Sequence, residues 1–113
     1  MIARIWRGVV RRDDAVEYAD YIRETGLDEY GTTPGNRGGW MLRRDDGDRS
    51  EMITFSLWDS VEAIKAFAGE DIEAAVFYPE DDRFLVERET TVKHYEVVGF
   101  VEGVESASAR SSS

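Results

Sequence analysis

The chain contains no cysteine, which excludes disulfides, iron–sulfur clusters and a thiolate nucleophile. Lysine occurs twice (Lys65 and Lys93) against twelve arginines, and 24 acidic residues bring the formal charge to −10. Phosphate backbones need clustered basic residues, so nucleic acid is excluded as a partner, and anionic membrane surfaces are disfavoured for the same reason. No apolar run approaches the length of a membrane span. The opening MIARIWRGVV, followed at once by Arg11-Arg12-Asp13-Asp14, is not a signal sequence, so a cytoplasmic address is expected. A G-x-S-x-G elbow is missing, and no Ser-His-Asp triad can be assembled. Glu80-Asp81-Asp82 lacks the spaced ligands and glycine of a calcium loop, and the Gly-rich Pro34–Gly39 leads into a strand rather than a helix N-terminus. No metal site is expected.

Five Phe, five Tyr and three Trp in 113 residues are enough large side chains to fill one core. Ile2 to Val10 alternates with apolar residues on both faces: Ala3, Ile5 and Val9 on one, Ile2, Trp6 and Val10 on the other. Asp14 and Glu17 read as a capping box, Ala15, Tyr18, Ala19 and Ile22 as a helical stripe, and Gly26 as its stop. Thr32–Gly39 is turn-rich, a second strand is expected from Gly39 to Arg44, and Asp45–Asp48 reads as a hairpin turn.

In the third strand, Glu51 to Trp58, Ile53, Phe55 and Leu57 face one way and Met52, Thr54, Ser56 and Trp58 the other. A second capping box, Asp59 with Glu62, opens a helix carrying Val61, Ile64, Phe67 and Ala68, which Gly69 ends. A short helix through Ile72, Ala75 and Val76, an acidic connection, and a final strand from Val92 to Val101 complete the order. Residues 102–113 have nothing to pack and are expected to be a disordered tail on a single domain of residues 1–101.

This order is that of an α+β, ferredoxin-like βαββαβ unit with a four-stranded antiparallel sheet. Helices cover only one face of such a sheet, yet both faces here are apolar. A second copy of the chain, as a homodimer, is the simplest cover for the other.

The segment ITFSLWDSVEAIKAFAGEDIEAAVFY resembles the antibiotic biosynthesis monooxygenase family of dimeric α/β barrels. The Ala3-Arg4-Ile5 opening, the Pro34-Gly35 loop and the closing Val-Lys-His-Tyr-Glu-Val strand are similar too. The resemblance implies an oxygenase acting on an electron-rich aromatic or quinol-type compound with dioxygen and no cofactor. It also implies that haem degradation is not the activity. Haem-degrading relatives carry a tryptophan on the helix after the third strand and an iron-ligating histidine ten residues on, where this chain resembles them only through Phe67 and Phe77. Their first-strand asparagine has no counterpart.

Several residues are candidates for such a site. Deprotonating a phenol or anthrone requires a base, and His94 is the only side chain with an ordinary pKa near neutrality, with Glu96 two positions away to orient it. A structural histidine bonded at the strand or interface is the other reading. Arg4 or Arg7, on opposite faces of the first strand, could hold a developing oxyanion or be an ion-pair member. Trp58, Trp6, Phe67 and Phe77 could line an aromatic pocket, and Trp40 less readily. Tyr78 and Tyr95 could donate hydrogen bonds to a substrate oxygen, or simply pack. The rival to an enzyme is a non-catalytic dimer that binds a small hydrophobic ligand.

Overall fold

A computed structural model describes residues 1–103. The expected tail of residues 102–113 lies, from residue 104 on, outside the described residues.

The elements are β1 (Ile2–Arg11), α1 (Ala15–Ile22), α2 (Asp28–Thr32), β2 (Asn36–Asp46), β3 (Arg49–Trp58), α3 (Val61–Ala68), α4 (Asp81–Phe84), β4 (Leu85–Arg88) and β5 (Lys93–Glu96). All pairings between these strands are antiparallel, in the order β2-β3-β1-β4, with β5 also on β1. This is the ferredoxin-like α+β sheet with its fourth position divided. β4 pairs with Gly8–Val10 of β1 and β5 with Ile2–Ile5, so one discontinuous strand borders β1 along its length.

Alternation along the strands sorts their residues as the sequence predicts. Trp6, Val10, Met52 and Trp58 lie inward beneath the helices and are buried. Two clusters form there: one joins Trp6 and Met52 to Tyr18, Ile22, Phe84 and Leu85, the other joins Trp58 to Tyr30 and Ile64. The outward face carries Ile5, Ile53, Phe55 and Leu57, flanked by Trp40 and Leu42, which are 46% and 49% exposed.

Several local expectations need correction. The Asp14 carboxylate makes no capping bond; it pairs with Arg11 at 2.8 Å, after a short 3-10 turn. Gly26 does not end the first helix. The backbone passes through a five-residue π turn, Arg23–Leu27, in which the Asp28 N–H reaches the Arg23 carbonyl, and continues as α2. The true stop is Thr33, which is extended because the following Pro34 clashes with a helical predecessor. At α3 the cap is Ser60 rather than Asp59: its hydroxyl accepts from the Ala63 N–H at 3.2 Å, while Asp59 pairs with Arg37. Gly69, at φ 87°, does end α3.

The expected helix through Ile72, Ala75 and Val76 is an irregular crossing. Its backbone is taken by tertiary partners: Ala75 N–H donates to the Thr90 carbonyl and Val92 N–H to that of Glu73. The acidic connection holds α4 and β4, signalled only by Phe84 and Leu85. The last strand stops at Glu96 rather than Val101. Glu96 pairs with Ile2, and beyond it Val97 N–H donates to the Met1 carbonyl.

Gly8 shows how tightly the inner face is packed. The Trp6 indole lies over it, and a Cβ there would run into both that ring and Leu85. Gly8→Ala is therefore expected to cost about 1–3 kcal/mol through overpacking. A drop in Tm of several degrees by calorimetry would show it; an unchanged Tm would mean that the indole moves aside freely.

Candidate functional site

Between the sheet and the helical layer lies a cavity of about 40 Å³, room for roughly two or three waters at ~10–15 Å³ each. β1 supplies Arg4 and Trp6, β3 supplies Thr54, and α3 supplies Phe67. The helical run from α1 to α2 adds Tyr18, Ile22, Gly26 and Tyr30. The crossing and α4 close it with Val76, Phe77, Tyr78 and Asp81, and Val92 adds its side chain. The π turn brings Gly26 to the wall, where an added Cβ would be in van der Waals contact with Tyr78.

Arg4 is the polar centre of this wall. It is 3% exposed, and among the described residues it pairs with no carboxylate. Its guanidinium donates instead to the Ile72 carbonyl (2.6 Å) and the Ala74 carbonyl (3.3 Å), and stands 3.0 Å from His94 Nε2. Since a guanidinium only donates, Nε2 is the acceptor and the His94 proton sits on Nδ1. Burial holds the Arg4 pKa below its ordinary value, with Tyr30 and Tyr78 opposing. Phe67 lies beneath the cation, 5.8 Å from ring centre to guanidinium carbon.

The aromatic wall is ordered by contacts of its own. Trp6 meets Phe77 edge-on at 6.2 Å and donates from Nε1 to the Glu89 carbonyl at 2.6 Å. Tyr78 donates to Glu29 at 3.0 Å; burial first, and that acceptor second, push its hydroxyl pKa up. Burial does the same to Tyr18, reinforced by the nearby Asp81.

Of the residues named from the sequence, the cavity brings together Arg4, Trp6, Phe67, Phe77 and Tyr78. Trp58 is one layer behind, fully buried against Phe67 at 5.7 Å and Tyr30 at 5.6 Å, with Nε1 donating to the Ser56 hydroxyl. Arg7 and Tyr95 are on the outward face. Arg7 differs in parity from Arg4 and pairs there with Glu51 and Glu87, while Tyr95 lies opposite Ala3 and is half-exposed. His94 reaches Arg4 but not the cavity, and its partner is Arg4 rather than Glu96.

Sequence reasoning missed Tyr18, Tyr30 and Asp81. The two tyrosines lie on the stripe that Gly26 was expected to interrupt, and Asp81 was hidden in an acidic run. Among the described residues no three His, Asp or Glu gather as metal ligands, and no helix is long and apolar enough to cross a membrane.

The sheet order, the helical layer on one face and a cavity between them define a ferredoxin-like domain of the antibiotic biosynthesis monooxygenase type of fold. No protein-family model matches the chain, and no curated protein sequence matches it significantly. Solved structures do. A Bacillus cereus protein carrying the name antibiotic biosynthesis monooxygenase superposes with a TM-score of 0.64 at 16% identity, over 93% of this chain and 98% of its own. One of the same name from Nitrosomonas europaea gives 0.60 at 17%, over 88% and 100%. The heme-degrader MhuD from Mycobacterium tuberculosis, with two hemes bound in its active site, gives 0.58 at 18%, over 90% and 100%. At these identities the likeness is one of fold.

Burial, and after it the Arg4 charge, hold the His94 pKa below its ordinary value. The unfolded chain thus binds the proton more readily, so this group's contribution to stability falls as pH drops from about 6.5 through the folded pKa. With a single imidazole in the chain, an NMR titration reads it directly. Wild type should titrate below 6.5, and Arg4→Met should move the value upward. An unmoved value would show that Arg4 does not govern this ring.

Proposed function

We propose that this protein is an antibiotic-biosynthesis-monooxygenase-like oxygenase that takes a small electron-rich aromatic compound into the inner cavity and oxidises it with dioxygen, without a bound cofactor. The observation that carries this reading is a buried guanidinium, free of any carboxylate partner among the described residues, in a wall of aromatic rings. A buried cation is costly unless an anion compensates it, and the oxygen of a substrate that enters as its phenolate or enolate, having given its proton to water, supplies that anion. Trp6, Phe67 and Phe77 flank the ring system, Tyr78 packs against it with its hydroxyl proton given to Glu29 rather than to a substrate oxygen, and His94 holds the guanidinium in place. For an anthrone the stoichiometry closes without an external reductant: the ring CH2 and O2 become C=O and H2O. Since the cavity is small, entry requires Phe77, 37% exposed at the rim, to swing outward.

A homodimer belongs to the same proposal. The outward face exposes Trp40 and Leu42 beside Ile53 and Phe55, and a second sheet would cover them. With Phe67 and Phe77 where haem-degrading relatives have pocket residues, the reading excludes haem as substrate. A cytoplasmic address belongs to the same reading.

Oxygen uptake by anthrone is the direct test. Wild type should accelerate it in the presence of chelator and without flavin or nicotinamide, and Arg4→Met should slow it by about a hundredfold, the scale of a lost oxyanion donor. A second reading, a binding protein without turnover, is favoured by His94 Nε2 being occupied by Arg4, which leaves the imidazole no free acceptor. Ligand retention with no uptake would establish it. For the dimer, light scattering should give about twice 12.8 kDa, and Phe55→Glu should yield monomer. A wild-type monomer would overturn the sheet-on-sheet arrangement.

A further inference from the structure

Asp81 is the first residue of α4, 3% exposed, in the wall of the same cavity as Arg4. One carboxylate oxygen, Oδ2, accepts from the Tyr78 N–H at 2.6 Å. The other, Oδ1, is the only buried side-chain nitrogen or oxygen among the described residues with no hydrogen-bond partner. Its neighbours in sequence, Glu80 and Asp82, point outward to Arg83 and Arg88. Only the middle residue of the acidic run turns in.

Leaving a buried carboxylate oxygen unsatisfied is expensive, so the position calls for a donor from within the cavity. The wall does not supply it. Tyr78 gives its hydroxyl proton to Glu29, Arg4 donates to the Ile72 and Ala74 carbonyls and to His94, and the Tyr18 hydroxyl, though near enough to feel the Asp81 charge, makes no bond to Oδ1. A cationic donor is disfavoured by the Arg4 charge lining the same space. A neutral hydroxyl is the group that fits both.

We propose that Asp81 Oδ1 accepts a hydrogen bond from a hydroxyl of the bound aromatic compound, making Asp81 the residue that selects hydroxylated ligands over their unsubstituted or alkylated counterparts. The inference rests on the aromatic-pocket reading above and narrows its ligand class. The ligand carries a hydroxyl donor toward α4 and an electron-rich oxygen toward β1, where Arg4 lies. Burial holds the Asp81 pKa up, against the Tyr78 N–H and Arg88 that favour its charge and with Asp82 adding to the rise. The cost of burying this carboxylate thus outweighs what the Tyr78 N–H and Arg88 return to its charge.

The test compares 2-naphthol, 2-methoxynaphthalene and naphthalene as probes, by calorimetric titration of the full chain. Wild type should bind 2-naphthol roughly tenfold or more tighter than either of the others, the scale of a hydrogen bond to a charged acceptor. Asp81→Asn keeps an oxygen for the Tyr78 N–H and removes the charge, so its Tm should equal or exceed that of wild type. It should bind naphthalene as wild type does and bind 2-naphthol no better than naphthalene. Equal binding of all three probes by wild type, or an unchanged naphthol preference in Asp81→Asn, would overturn the role of Asp81 while leaving the aromatic pocket standing. Should wild type bind none of them, the pocket reading falls, and the inference with it.

Discussion

The Arg4 guanidinium is the constraint on which the inner face depends. A charge taken out of water costs several kcal/mol unless its donors are met, and here backbone carbonyls meet them rather than a carboxylate. Those carbonyls belong to Ile72 and Ala74, so Arg4 pins the irregular crossing to the sheet at the point where it would otherwise leave as a loop. Val76, Phe77 and Tyr78 follow directly, and their place in the cavity wall is set by that anchor and by the Trp6 bond to Glu89. A segment with no helix or strand of its own thereby becomes a defined side of a cavity.

β1 carries this burden because it is central. It borders β3 on one edge and the divided β4–β5 position on the other, so its alternating residues are held in register from both sides. Parity then separates two chemistries three residues apart. Arg4 faces inward, unpaired with any carboxylate among the described residues, whereas Arg7 faces outward in a surface cluster with Glu51 and Glu87. The two arginines are alike in sequence and opposite in consequence, since exposed pairs such as those of Arg7 contribute little.

That parity was legible in the sequence, and with it the sheet, the inner core and the apolar outward face. Arg4, Trp6, Phe67, Phe77 and Tyr78 were named from composition and resemblance, and they meet at one cavity. Less legible was whatever local rules hand over to tertiary partners. Gly26 satisfies the rule for a helix stop, but the π turn absorbs it, and Pro34 stops the helix instead. Ile72, Ala75 and Val76 have helical spacing, yet the backbone of residues 72–75 is engaged by Arg4 of β1 and by Thr90 and Val92 from the segment between β4 and β5. Trp58 is a sound aromatic candidate one layer too deep, because Phe67 stands in front of it. Asp81 carried no signal at all: three consecutive acids read as a solvated face, and only the turn at Tyr78 decides which of them points in.

Arg4 and Asp81 line one cavity with opposite charges, and the chain does not pair them. An ion pair would have offset part of both burial costs at once, the ordinary solution for buried charges of opposite sign. Each is held by backbone instead, Arg4 by two carbonyls and Asp81 by the Tyr78 N–H, so both keep fixed positions in the wall of the same cavity. Polar groups set in advance at fixed points of an aromatic-walled space stabilise charge without reorganising when it develops. Elsewhere the molecule follows the rules of a stable small domain: alternation, a satisfied cap at Ser60, and surface arginines paired with acids. The inner cavity departs from those rules, and its cost is explained if a ligand completes what the fold leaves open.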